Sequence, residues 1–194
     1  MPQPLPPLRR IVTAIDESGQ SYIAESGPSL ATLELPGSPY RNANLWRTQA
    51  APSPIEAPDT ITQHKGVLPP TSGTVLRAID FPPMAASREE QAALTAKVFA
   101  ELYPDADHHA DSTRSASMHT TDTIDYAIVL AGEIWAIMDR DEMLMKAGDI
   151  LIQRGTAHGW ENRSTEMARV AFVLIDATRG GGVMPDRTTA CIEG

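Results

Sequence analysis

Two stretches carry the side chains that could do chemistry: MHTTDTIDYAIVLAGEIW, with His119, Thr121 and Asp125, and GDILIQRGTAHGWEN, with Gln153, His158 and Trp160. Imidazole and carboxylate move protons near neutral pH and ligate divalent metals, so what matters is whether the fold groups them. Alternate side chains of a strand share a face, which points His119 and Thr121 together and Asp125, Ala127 and Val129 together further along. On the later strand His158, Trp160 and Asn162 share another face. If the two strands are neighbours in a barrel, two imidazoles and a carboxylate converge at one end of its interior. Ala127 then leaves room and Trp160 offers an apolar wall, the usual form of a small-molecule pocket. Two histidines and one carboxylate are also similar to the facial arrangement that holds non-haem Fe(II) with open positions.

Each of these side chains has a structural reading as well. His119 caps a loop ahead of a strand, or bonds Asp125 to close the barrel mouth without metal. Asp125 inside an apolar strand needs a partner, a hydrogen-bond network or a metal, because a lone buried carboxylate is costly. His158 is held by Asn162 or by a backbone carbonyl. His108 and His109 are adjacent, so their side chains diverge, and Asp105, Asp107 and Asp111 mark a solvated loop around them. They stay outside the candidate set. Tyr126 has the opposite parity to Asp125 and faces away, Gln153 reaches the pocket from the turn before His158, and His64 has no motif around it.

The elements that must position these residues are short strands. From Thr123 onward apolar runs recur as IDYAIVLA, EIWAIMD, EMLMKA, DILIQ, HGWEN and MARVAFVLIDA, punctuated by Gly132, Asp139 to Asp141, Gly148 and Arg163 to Glu166. Strands so closely spaced predict a compact antiparallel barrel or sandwich. One helix is expected over about residues 88–102: Ser87 and Glu90 have capping-box spacing, and Leu94, Val98 and Leu102 form a core-facing stripe before Tyr103-Pro104 stops it. Earlier pieces, such as RIVTAID, SYIAE and SLATLEL, are extended and separated by turn formers and by APSPIEAP. Residues 1–70 are therefore expected to form an N-terminal β arm packed on the barrel or on a partner subunit, residues 71–177 the barrel, and residues 178–194 a flexible tail.

Composition narrows the function classes. With 194 residues the chain fits one domain with extensions, and its formal net charge of −9 argues against a phosphate-binding surface, so no nucleic acid is expected as partner. The opening MPQPLPPLRR matches neither a secretory signal nor a membrane span, which makes a cytoplasmic protein without membrane contact the expectation. Cys191 is the single cysteine, so any metal must use histidine, carboxylate or other oxygen ligands. The proline-rich arm and the strand edges of such a barrel predict a homodimer.

Both stretches resemble the paired motifs of the cupin superfamily, G-x5-H-x-H-x3,4-E-x6-G and G-x5-P-x-G-x2-H-x3-N. His119 matches the first histidine, Thr121 stands at the second, Asp125 replaces the glutamate and Gly132 closes the first motif. The initial glycine of that motif is missing. Gly148, Gly155, His158 and Asn162 match the second motif, with Gln153 where proline is usual. The resemblance spans roughly residues 70–177 and implies a mainly all-β fold, a double-stranded β-helix jelly-roll barrel of the single-domain cupin 2 type with one flanking helix. It further implies a divalent metal ion (Fe, Mn, Zn or Ni) held by His119, Asp125 and His158, which would also be catalytic, in a substrate pocket of Thr121, Ala127, Gln153 and Trp160. The implied activity is lyase, decarboxylase, cyclase or isomerase chemistry, or Fe-dependent dioxygenation, on an oxygenated organic small molecule. One histidine fewer than typical members and a carboxylate one methylene shorter leave a second reading open, a metal-free small-molecule sensor or carrier. A structural or storage role is a third.

Overall fold

From Thr123 to Ala131 the side chains of Thr123, Asp125, Ala127 and Val129 are buried while Ile124, Tyr126 and Leu130 are exposed, the period of two that a strand with one solvent face imposes. The computed structural model, which describes residues 2–110 and 112–180, builds most of the chain this way. In chain order the elements are β1 (Arg9–Ile15), β2 (Ser21–Pro28), β3 (Ala31–Glu34), β4 (Arg41–Thr48), a 3-10 turn (Ile61–Gln63), β5 (Thr74–Phe81), α1 (Arg88–Leu102), β6 (Asp107–His108), β7 (His119–Thr120), β8 (Thr123–Ala131), β9 (Glu133–Met138), β10 (Glu142–Lys146), β11 (Ile150–Arg154), β12 (His158–Glu161) and β13 (Ala168–Asp176). Cys191 and the tail beyond residue 180 lie outside the described residues.

Two sheets make the barrel. A five-stranded sheet runs β10-β9-β12-β7-β6 and a six-stranded one runs β11-β8-β13-β5-β4-β3, with neighbours antiparallel throughout. A mainly-β barrel of two sheets with one helix is as the strand spacing and the motifs imply. Val75, Ala127, Val129, Ile134, Ala136 and Val170 belong to a core cluster that draws on both sheets. Residues 31–48, assigned by sequence to the arm, hydrogen-bond into the six-stranded sheet through β3 and β4. Only β1 and β2 form a separate two-stranded sheet.

Gly132 joins β8 to β9 with φ +68°, and a Cβ there would lie 2.6 Å from the Met167 carbonyl oxygen. A left-handed backbone and a crowded neighbour both demand glycine, which is why the motif closes on one. The helix begins where its sequence signals it: the Ser87 hydroxyl accepts from the Glu90 amide at 3.1 Å. Its buried stripe is Thr95, Phe99 and Leu102, however, while Leu94 is 40% exposed. Leu94, Thr95, Val98 and Phe99 line the cavity described below, while Phe99 and Leu102 also belong to the core cluster, so the helix sits at the boundary between pocket and core.

Candidate functional site

Strand register assembles the histidines. His119 on β7 lies directly opposite His158 on β12 and also opposite His108 on β6, so three imidazoles stand in a row across one sheet. The His119 and His158 ring centroids are 4.2 Å apart. Phe99 of α1 stacks on His108 at 4.0 Å and lies 5.1 Å from His119, and His108 Nε2 meets the Ala116 carbonyl at 2.8 Å. The pair left aside as loop residues thus contributes His108 to the row. Nothing in the local sequence signals this, because it depends on the register in which β6 pairs with β7. His108 is not among the residues lining the cavity; His119 and His158 are.

His119 and Asp125 do not share a strand. The chain leaves the five-stranded sheet after Thr120 and enters the six-stranded sheet at Thr123, so Asp125 reaches the pocket from the other sheet. Its Oδ1 is buried without a hydrogen-bond partner. Burial pushes the Asp125 carboxyl up to about 6, opposed by the Thr123 hydroxyl and the Arg77 charge. The hydroxyls of Thr121 and Thr123 bond each other at 2.8 Å.

Both imidazoles are neutral at pH 7. Desolvation lowers His119 to about 4, with the Ser117 carbonyl opposing, and lowers His158 to about 3, assisted by neighbouring His119. His119 Nδ1 meets the Ser117 carbonyl at 2.9 Å, and the tautomer that donates there carries its lone pair on Nε2. His158 Nδ1 lies 3.0 Å from the Thr156 carbonyl and 2.7 Å from the Gln153 amide. Gln153 therefore braces His158 from behind and does not line the pocket; Ala127 sits in the core cluster rather than in the lining. Thr121 and Trp160 do line it. Asn162 is structural: its Nδ2 donates to the Phe81 and Glu166 carbonyls and its Oδ1 accepts from Ser164, fastening the turn after β12.

The cavity that joins these groups is about 140 Å³ and carries Phe81, Leu94, Val98, Phe99, Trp160 and Phe172 as apolar wall. A donor pair of adjacent neutral histidines suits a divalent ion. Among the described residues, no three His, Cys, Asp or Glu side chains converge as a metal-binding set, so Asp125 does not complete a site with His119 and His158. The sequence also missed a buried polar group on the same cavity: Arg77, Tyr40 and Tyr103. Tyr40 and Tyr103 share a 2.8 Å hydroxyl contact, and Arg77 Nη2 lies 2.9 Å from His64 Nε2.

No family model matches the chain. Among curated proteins it is 31% identical over 176 residues to phomopsin biosynthesis cluster protein C' of Diaporthe leptostromiformis, covering 87% of this chain and 78% of that protein. It is 28% identical over 183 residues to the cupin-domain-containing oxidoreductase srdD of Neurospora crassa, covering 89% of this chain and 79% of that one. Among solved structures, the cupin domain of Schizosaccharomyces pombe Cnp3 aligns at 11% identity and a TM-score of 0.42, covering 87% of each chain. A cupin 2 conserved barrel domain protein from Salinispora arenicola aligns at 15% identity and a TM-score of 0.35, covering 54% of this chain and 64% of that one.

Proposed function

The chain belongs to the cupin superfamily, and we propose that it is a small-molecule enzyme acting on an oxygenated organic intermediate of a biosynthetic route. One observation carries the reading: a buried carboxylate with a raised pKa and an unpartnered oxygen shares an apolar cavity with two neutral imidazoles. The relatives named for a biosynthesis cluster and as an oxidoreductase support the substrate class. Localisation in the cytoplasm is part of the proposal; among the described residues no helix is long and apolar enough to cross a membrane.

Asp125 is the proton carrier in this reading. Its pKa of about 6 lies near the working pH, where general acid-base catalysis is most effective. Its base form gains population as pH rises through about 6, so kcat/KM rises across that range and then levels. His119 and His158, neutral throughout it, would accept hydrogen bonds from the substrate, or would hold an Fe, Mn, Zn or Ni ion. A bound ion would polarise a carbonyl or enolate oxygen. Trp160 and Phe99 exclude water from the reacting face.

The test is elemental analysis of protein purified without added metal, beside turnover of a panel of β-dicarbonyl and hydroxylated aromatic compounds. Metal retained by the wild type and lost from His119→Ala and His158→Ala supports metal dependence. Asp125→Asn is expected to lower kcat by roughly 10²–10³ and to remove the pH limb near 6. The second reading, a metal-free sensor or carrier, is favoured by the Thr121 hydroxyl being satisfied by Thr123 and by the missing third ligand. A bound compound returned unchanged, with metal-free protein after loading, selects it.

A homodimer is also proposed. The hairpin β1–β2 pairs only with itself, and it exposes Ile15, Tyr22 and Ile23, while edge strand β11 exposes Ile150 and Ile152. Arg10 of β1 ties the hairpin to the rest of the chain through Asp59 and the Trp46 ring, and a second copy would cover the apolar side chains left exposed.

A further inference from the structure

Arg77 is 1% exposed, on β5, and lines the same cavity as the histidines. A guanidinium keeps its charge wherever it is placed, and a buried charge is costly unless an opposite charge or a full set of acceptors meets it. Its acceptors here are neutral. Nη1 donates to the Gly66 carbonyl at 3.3 Å, and Nη2 to the Val67 carbonyl and to His64 Nε2, each at 2.9 Å. Nε has no hydrogen-bond partner, and among the described residues Arg77 makes no ion pair. Neither carboxylate near this region forms an ion pair with Arg77, although its charge reaches Asp125. Asp105 accepts from the Val67 and Leu68 amides, and Asp125 stands on β8, separated from β5 by β13.

Neutral donors flank the guanidinium. The Tyr103 ring centroid is 5.7 Å from Arg77 Cζ, and burial drives both Tyr103 and Tyr40 above the usual phenol range, which keeps their protons on. On neighbouring β4, both amide atoms of fully buried Asn42 lack partners, as does Asn44 Oδ1. Five of the six buried side-chain atoms without partners in the described residues thus lie on β4, β5 and β8 of one sheet. Native interiors leave few such atoms, and of these residues Arg77 and Asp125 line the cavity, where a polar ligand could meet the guanidinium.

We propose that Arg77, flanked by Tyr103 and Tyr40, anchors a carboxylate of the substrate and holds its ring against Phe99, Phe172 and Trp160 beside His119 and His158. This rests on the reading of the cavity as the substrate site. At about 140 Å³ the cavity is close to the size that admits one benzene ring, roughly 150 Å³, so the substrate class is a single-ring acid.

The test is calorimetric titration of the full chain, stripped of metal with EDTA, with benzoate and with its neutral isostere benzamide. Benzoate is expected to bind about tenfold tighter, the margin a charge-assisted guanidinium contact supplies. Arg77→Met should erase that preference, bringing benzoate binding down to that of benzamide. Because that variant removes a buried anchor and can fail to fold, Tyr103→Phe serves beside it and should reduce the preference about threefold. The wild-type comparison needs no variant at all: no saturable benzoate binding, or equal binding of both probes, overturns the proposal. A repeat after Zn(II) loading separates the two readings. Benzoate bound only by Zn-loaded protein and indifferent to Arg77→Met places the anion on the metal, overturning the anchor while metal dependence stands. Arg77-dependent benzoate binding in protein that retains no metal upholds the anchor and removes metal dependence.

Discussion

His64 shows how a single residue without a motif can matter. It accepts from Arg77, and burial together with the Arg77 and Arg47 charges lowers its pKa from 6.5 to about 4. A group whose folded pKa is depressed below its unfolded one stabilises the neutral-histidine state above pH 6.5, and that contribution is lost as pH falls from 6.5 towards 4. Urea unfolding should therefore show His64 costing on the order of 2 kcal/mol across that window, after discounting for partial solvent screening. His64→Gln, which keeps an acceptor but does not titrate, should flatten that part of the profile. At Gly132 the backbone decides: Gly132→Ala must hold φ +68° and push against the Met167 carbonyl, so a loss of about 2 kcal/mol is expected by the same assay. Both glycine and catalytic candidates were legible in the sequence because they sit at fixed offsets along single segments. Arg77, Tyr40 and Tyr103 were not, since they meet only when segments far apart in the chain pack together, and His108 was not, since its place depends on the β6–β7 register.

Elements explain most of what sequence reading gained and lost. The limits of α1 were readable from Ser87, Glu90 and Pro104, all local signals, whereas which helical face is buried depends on what lies beside it. Strand alternation foretold the inward set Asp125, Ala127 and Val129; it gave no sign that the chain changes sheet after Thr120. The N-terminal strands carry a further lesson. Asp80 on β5 receives both Arg41 on β4 and Arg169 on β13, and the same two guanidinium groups donate to the carbonyls of Leu5 and Pro6. One buried carboxylate thus aligns three strands and fastens the chain that precedes them. Asp80→Ala should destabilise by about 3 kcal/mol, because it strands two arginines against each other. Trypsin cleavage after Arg9 should quicken in parallel, a result that a merely local defect on β5 would not give.

At the scale of the whole molecule, length and charge set the class, and the strand count fixed the architecture, but surface apolarity is visible only once the sheets are assembled. Ile23 is 59% and Ile150 62% exposed, on the hairpin and on the edge strand respectively. Sedimentation velocity should find a dimer, and Ile23→Lys or Ile150→Lys should shift it to monomer without lowering the unfolding midpoint of the monomer. A monomeric wild type at high concentration removes the dimer.

The two residues that carry the chain from one sheet to the other, Thr121 and Asp122, make the pocket a caliper. One jaw holds the imidazoles and the other holds the carboxylate and guanidinium. Sheets in a sandwich stand about 10 Å apart and slide or spread more readily than strands within a sheet can part. The gap between Asp125 and the histidine row is therefore a measurement of what lies between the jaws, and a compound too wide or too narrow fails on spacing even when every polar group finds its match.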